Sequence, residues 1–274
     1  MLPLEDFFND VVNKAQRGLG LSDEALAEKA GVEVAALQSV KSGEADATVL
    51  AKIAPVLNLH GPSLIAMAQK SWTPKPIEAE GLAQFNTPFD DMTVNAYLVW
   101  DDSTKLAAAF DTGASCEPIL EALKEHGLKL GAIFLTHTHP DHVADLDRLR
   151  AETGHPPVYS HKREPWPDTS TFAIGNASHW EVGDLHVEAR STWGHSKGGI
   201  TYVVDGISRP VAIVGDALFA SSMGGGVISY ADALETNRKE IFSLPGETVI
   251  CPGHGPLTTV SEEKAHNPFY PEYK

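Results

Sequence analysis

Cysteine is scarce in this chain of 274 residues: only Cys116 and Cys251 occur, far apart. Disulfides therefore do not hold the fold together, and a reducing cytoplasm is the expected compartment. Positive charge is also short, with 21 Lys and Arg against 37 Asp and Glu and a net charge of -16. A field of that sign repels polyanions, so nucleic acid is not expected as the main partner. Long apolar runs are missing: nowhere do about 18 apolar residues follow one another. The start, MLPLEDFFNDVVNK, places acids where a signal peptide carries its basic residues. Neither export nor membrane contact is expected. What is present is an ordinary globular composition, 42% hydrophobic and 21% charged, which excludes disordered and fibrous classes. The length fits one large domain, or an ordinary domain plus a small one.

The pattern changes once along the chain. Over residues 4–70 apolar positions recur at three and four, as in Leu26 and Ala30 or Leu50, Ile53 and Leu57, predicting about five short helices. Ser22 followed by Asp23 and Glu24 opens one helix, which Gly31 ends, while Gly43 and Gly61 end later ones. The prolines of SWTPKPIEAEG then interrupt helix, and the boundary is placed at Trp72. This divides the chain into a helical domain, 1–72, and an α/β domain, 73–274. In the second part strands are predicted at 96–100, 106–110, 132–135, 185–189, 200–204, 211–214 and 248–250. Helices are predicted at 117–125, 141–150 and about 230–243. Interleaving of this kind indicates sheets covered by helices.

Residues 21–59, LSDEALAEKAGVEVAALQSVKSGEADATVLAKIAPVLNL, resemble the helix-turn-helix of the Cro/repressor-like family through the AEKAGV turn and the later SGE. The resemblance implies a second helix at 34–41 that enters a DNA groove. That helix offers only Gln38, Ser39 and Lys41, and residues 1–72 hold six basic residues against nine acids. Phosphate attraction is correspondingly weak. A structural role, including homodimerisation through the apolar faces, is the preferred expectation, with DNA binding and partner docking as alternatives.

Chemistry concentrates in Thr136-His137-Thr138-His139-Pro140-Asp141-His142, directly after an apolar strand. His137 and His139 are two apart in extended chain, so both imidazoles leave one side. Asp141 and His142 follow Pro140, where a helix starts, and turn toward a second position beside the first. Three imidazoles and a carboxylate within six residues are awkward to pack without cations. His195 in GHSKGG, Asp216 in VGDALF and His254 in CPGHGP add further ligand candidates, each beside glycine.

Through H-x-H-x-D-H and the later His, Asp and His, residues 80–270 resemble the metallo-β-lactamase fold superfamily. The resemblance implies an αββα sandwich with a dinuclear site at one edge. It assigns His137, His139 and His195 to one divalent metal, Asp141, His142 and His254 to another, and Asp216 to both. Zn is the expected metal, with Fe and Mn as alternatives. Asp216 in place of cysteine argues against the commonest zinc β-lactamases of this fold, and His139 in place of glutamate against flavodiiron oxygen reductases. The ending GPLTTVSEEKAHNPFY is similar to that of short glyoxalase II-like proteins.

That likeness implies a hydroxyacylglutathione hydrolase-like thioesterase in which a metal-bridging hydroxide attacks the thioester, with Asp141 and Asp216 in catalytic positions. No serine or cysteine nucleophile is required, and Cys251 and Cys116 read as small buried core residues. Glyoxalase II enzymes hold glutathione with basic residues after the bridging Asp, yet residues 217–237 here contain no Lys or Arg. Lys197, Tyr230, Lys264 and Arg238 are the substitutes offered for substrate binding. Alternatives are a persulfide dioxygenase-like enzyme with one iron on His137, His195 and Asp216, a lactone or phosphodiester hydrolase, and a DNA-binding or metabolite-sensing regulator.

Overall fold

The computed structural model describes residues 2–174 and 178–274. Five helices come first, as expected: α1 (Phe8–Gly18), α2 (Asp23–Ala30), α3 (Val34–Lys41), α4 (Ala47–Val56) and α5 (Gly61–Ala68). Their ends follow local chemistry. The Ser22 side chain accepts from the Ala25 N–H, and Asp46 accepts from the N–H groups of Thr48 and Val49. Gly31 closes α2 in the left-handed conformation.

The rest begins with β1 (Leu82–Phe89), β2 (Met92–Asp101), β3 (Leu106–Phe110), α6 (Glu117–Glu125), β4 (Lys129–Phe134), α7 (Pro140–Val143) and α8 (Leu146–Glu152). It continues with β5 (Val158–His161), β6 (Ser170–Phe172), β7 (His179–Val182), β8 (Leu185–Ser191), β9 (Ile200–Asp205) and β10 (Val211–Gly215). Then come α9 (Tyr230–Thr236), β11 (Val249–Pro252), β12 (Thr258–Thr259) and α10 (Val260–His266). The strands form two six-stranded sheets, ordered β1-β2-β3-β4-β5-β6 and β12-β11-β10-β9-β8-β7.

Strand alternation explains the layering. On β3 and β4, Phe110 and Phe134 point between the sheets, while Ala109 and Ile133 point outward toward Ile119 and Leu123 of α6 and Leu149 of α8. On β10 and β11, Ile213 and Cys251 face the inter-sheet core. Ala212, Val214 and Ile250 face outward and share a third core with Leu50, Ile53 and Leu64 of the amino-terminal helices. The result is an αββα sandwich preceded by a helical region whose apolar face is buried within the same chain. Trp72 stacks on His266 at 4.2 Å between ring centroids, fastening the segment after α5 to α10.

Two helices differ from expectation. The helix predicted at 141–150 breaks at Asp145, whose carboxylate accepts from the Cys116 N–H at the start of α6. The helix predicted at 230–243 gives way after Thr236 to a π-helical turn, Asn237–Ile241. There Asn237 turns inward and donates to the Ala217 carbonyl and the Tyr270 hydroxyl.

Candidate metal centre

Strand β4 delivers Thr136 and His137 to the sheet edge, and Pro140 begins α7, so the chain bends between His139 and Asp141. His195 follows β8, Asp216 follows β10 and His254 follows β11. These separate segments end at one edge of the sandwich. One ligand atom from each of His137, His139, His195 and Asp216 lies within 4.8 Å of the others, and Asp141, His142 and His254 form a second such group.

The groups adjoin through Asp216. One of its carboxylate oxygens is 3.3 Å from His195 Nε2 and 3.5 Å from His254 Nε2, and the other is 3.3 Å from His142 Nε2. Asp141 Oδ2 lies 3.5 Å from His142 Nε2 and 3.4 Å from His254 Nε2. His139 turns its Nδ1 inward, 3.0 Å from His137 Nε2 and 3.1 Å from His195 Nε2. All seven residues named from the sequence are therefore together.

The outward ring nitrogens have fixed partners. His142 Nδ1 donates to Asp111 at 2.8 Å, His254 Nδ1 to the Thr93 carbonyl at 2.7 Å, and His195 Nδ1 to the Gly225 carbonyl at 3.0 Å. Acceptors that carry no hydrogen require N–H at Nδ1, which leaves each Nε2 facing the cluster. Asp111 also accepts from the Thr136 N–H and hydroxyl at 2.8 and 2.7 Å.

Electrostatics divide the histidines. Burial, with His142 adding to it, holds the His137 imidazole well below its ordinary pKa. Burial also opposes charge on His142, but Asp111 and Asp216 outweigh it and push the pKa up to about 10. His254 is buried too, and its bonds to Asp141 and Asp216 push it up to about 11. Burial resists ionisation of Asp216, yet His142 and His254 hold its carboxyl well below the usual range.

The donor set fits cations. His142 Nε2 and Asp216 Oδ1 are buried, lack hydrogen-bond partners and face each other across the cluster. Buried polar atoms without partners are rare unless something occupies the space between them. Glycine makes the approach of backbone possible: a β-carbon at Gly224 would lie 1.9 Å from the Asp216 carbonyl oxygen and 2.9 Å from His195 Nδ1.

A family model for the metallo-beta-lactamase superfamily matches residues 89–254. The chain belongs to that superfamily. A probable metallo-hydrolase of Streptococcus pyogenes is 33% identical over 199 residues, 64% of this chain and 84% of the relative. A hydroxyacylglutathione hydrolase of Haemophilus influenzae is 27% identical over 197 residues, covering 64% and 92%. The crystal structure of the B3 metallo-beta-lactamase BLEG-1 superposes with a TM-score of 0.57 at 30% identity, covering 68% of this chain and 99% of that one. The chain is a metallo-hydrolase of that superfamily. Among the described residues, no helix is long and apolar enough to cross a membrane.

The other named residues scatter. Lys197 is exposed and lines a cavity of about 380 Å³ with Arg163, Trp193 and Ile228. Tyr230 packs its ring against Gly18 of α1 and Phe269. Lys264 lies on α10 with its ammonium over the Tyr273 ring, and Arg238 pairs with Glu272. In the helical region, Lys41 pairs with Asp23, which Gln38 also faces.

Sequence reasoning missed Asp111, Glu164 and Arg163. Asp111 ends the apolar strand β3, and its position beside the histidine strand becomes visible only through the parallel pairing of β3 with β4. Glu164 is buried and accepts from the Thr138 hydroxyl and the Gly198 N–H, each at 2.8 Å, so it ties Arg163 to both ligand loops.

Proposed function

We propose that this metallo-hydrolase is a thioesterase of the hydroxyacylglutathione hydrolase type, acting on a thioester whose thiol half carries acidic groups. The convergence of seven ligand side chains into two adjoining groups that share Asp216 carries this reading. His137, His139, His195 and Asp216 would hold one divalent cation and Asp141, His142, His254 and Asp216 the other, with Asp141 and Asp216 in the catalytic positions. Cations there supply an acidified water and a Lewis-acidic face for a carbonyl oxygen.

The chain's own groups set the rest of the chemistry. Asp111, Gly225 and Thr93 hold the hydrogen of three imidazoles on the outer nitrogen, so each Nε2 lone pair points inward. Hydrolysis adds water across the acyl carbon–sulfur bond, giving a carboxylate and a thiol. A thiol with an ordinary pKa of about 8.5 leaves readily as thiolate, so no side chain has to protonate it. Near His195 in sequence, Lys197 lines one cavity with Trp193 and Arg163. The two cations offer charge for carboxylates on the departing thiol half.

The test is metal content of the purified protein together with hydrolysis of S-lactoylglutathione and a small panel of lactones. Two metals per chain, thioester turnover that stops on chelation and turnover restored by added divalent metal are expected. One iron per chain with oxygen uptake and no thioester turnover would place the protein with the dioxygenases instead. Turnover of lactones alone would retain the hydrolase and overturn the substrate.

A further inference from the structure

The loop after Asp216 is gripped from two sides. From the carboxyl-terminal side, Glu263 accepts from the Ser221 N–H at 3.0 Å, and Asn267 donates to the Ser222 carbonyl at 2.8 Å. From the helical region, Asp6 accepts from the Ser222 hydroxyl, and Lys14 of α1 donates to the Met223 carbonyl at 2.8 Å. Lys14 and Asp6 also pair with each other, with side chains only 15% and 10% exposed. The ammonium stands 5.2 Å from the centre of the Phe219 ring, whose edge meets His254.

The peptide that Lys14 holds is the one that leads into Gly224. Gly224 is wedged between the Asp216 carbonyl and the His195 ring, and the next carbonyl, that of Gly225, accepts the His195 Nδ1 hydrogen. An uninterrupted chain of contacts thus runs from α1 to a ligand imidazole. Elsewhere the same face of the helical region is seated on this part of the molecule: the Glu5 backbone lies against Gly255, next to His254, and Gly18 lies against the Tyr230 ring.

We infer that the amino-terminal helices complete the metal centre: Lys14, locked by Asp6, is a positioning residue that presses the Met223–Gly225 backbone onto His195 and so sets that imidazole's orientation. This inference rests on the metal-dependent reading above. It gives the helical region a task within the enzyme that needs no DNA.

The experiment is cobalt(II) titration of metal-free full-length protein, followed by visible absorption and by competition with a chromophoric chelator. Because Lys14→Met alone strands the buried Asp6 charge, the main variant is the double Asp6→Asn/Lys14→Met, which removes both charges. Lys14→Arg keeps the cation as the conservative control. Partners of ligand imidazoles are typically worth 10–100-fold in metal affinity. One link further out, the double variant is expected to bind one of two cobalt ions about tenfold more weakly, with an altered band for that ion. Lys14→Arg is expected to restore both.

A double variant with the parent's affinities and spectrum, or a Lys14→Arg chain as impaired as the double variant, overturns the proposal while leaving the metal centre standing. If the double variant does not fold, Asp6→Asn/Lys14→Gln, which also removes both charges but keeps polar groups at the two positions, carries the same readout. A parent chain that binds no cobalt overturns the metal reading and this proposal with it.

Discussion

Asp111 shows how much one side chain outside the ligand set can control. Its two oxygens take the Thr136 N–H, the Thr136 hydroxyl and the His142 Nδ1 hydrogen. Its backbone sits at a φ of 56°. Asparagine tolerates that left-handed conformation, so Asp111→Asn changes charge and hydrogen bonding with little backbone strain. The variant is expected to keep the parent's circular dichroism and lose about 10–100-fold in metal affinity, measured by chelator competition. Glu263 carries a second residue-scale prediction. Burial pushes its carboxyl from 4.5 up to about 7, against the lowering effect of the bonds from Asn267, Thr258 and Ser221. The folded chain holds the proton more tightly than the unfolded one. The contribution to stability is therefore complete below pH 4.5 and falls as pH rises through about 7. Glu263→Gln, which cannot titrate, should show urea stability flatter than the parent's between pH 5 and 8, by on the order of 3 kcal/mol. Parallel profiles for the two chains would contradict this.

At the scale of elements, β11 decides the fate of Cys251. The strand is central, with β10 on one side and β12 on the other, and it turns the thiol into the inter-sheet core. Burial pushes that thiol's pKa far up, and burial with Asp145 pushes Cys116 up to about 12. Neither thiol is expected to react with Ellman's reagent in the native protein, and both are expected to react once denaturant is added; rapid native labelling would refute the burial. Cys251 was legible in the sequence as buried because it ends an apolar run; Cys116, between Ser115 and Glu117, has no such run beside it. A short apolar run likewise marked the strand at 106–110, and spacing marked the helix at 117–125, with the observed bounds. The elements missed lack such signals. Strand β1 is a sheet edge, carries Pro88 and is only partly buried, so it reads as loop. Strand β12 is two residues long. The break between α7 and α8 depends on Asp145 bonding Cys116, 29 positions away, which no local pattern records. For the site, motif order identified all seven ligand candidates. Their outer partners were not legible, because Thr93 and Gly225 contribute carbonyls, which are independent of side-chain identity.

For the whole molecule, the question is whether residues 1–72 and 73–274 behave as one cooperative unit. Leu50, Ile53, Leu57 and Leu64 are fully buried in a core that also contains Val214, Ile250 and Tyr270. The main-chain bond from His60 to the Pro268 carbonyl, 2.8 Å long, joins the two parts as well. A helical region tied in this way covers the outer face of the second sheet, and removing it would expose apolar surface of the kind that drives aggregation. The chain contains its own reporters for a test. Four of the five tryptophans, at 100, 166, 180 and 193, lie in the sandwich, so the fluorescence chiefly follows it. Ile53→Ala opens a cavity in α4, remote in sequence from all of them, and costs about 2–5 kcal/mol. If the shared core couples the two parts, the urea midpoint followed by tryptophan fluorescence falls together with that followed by helical circular dichroism. A helical signal that shifts alone, with the fluorescence transition left in place, would show that the helices unfold independently and that their core is separable from the sandwich.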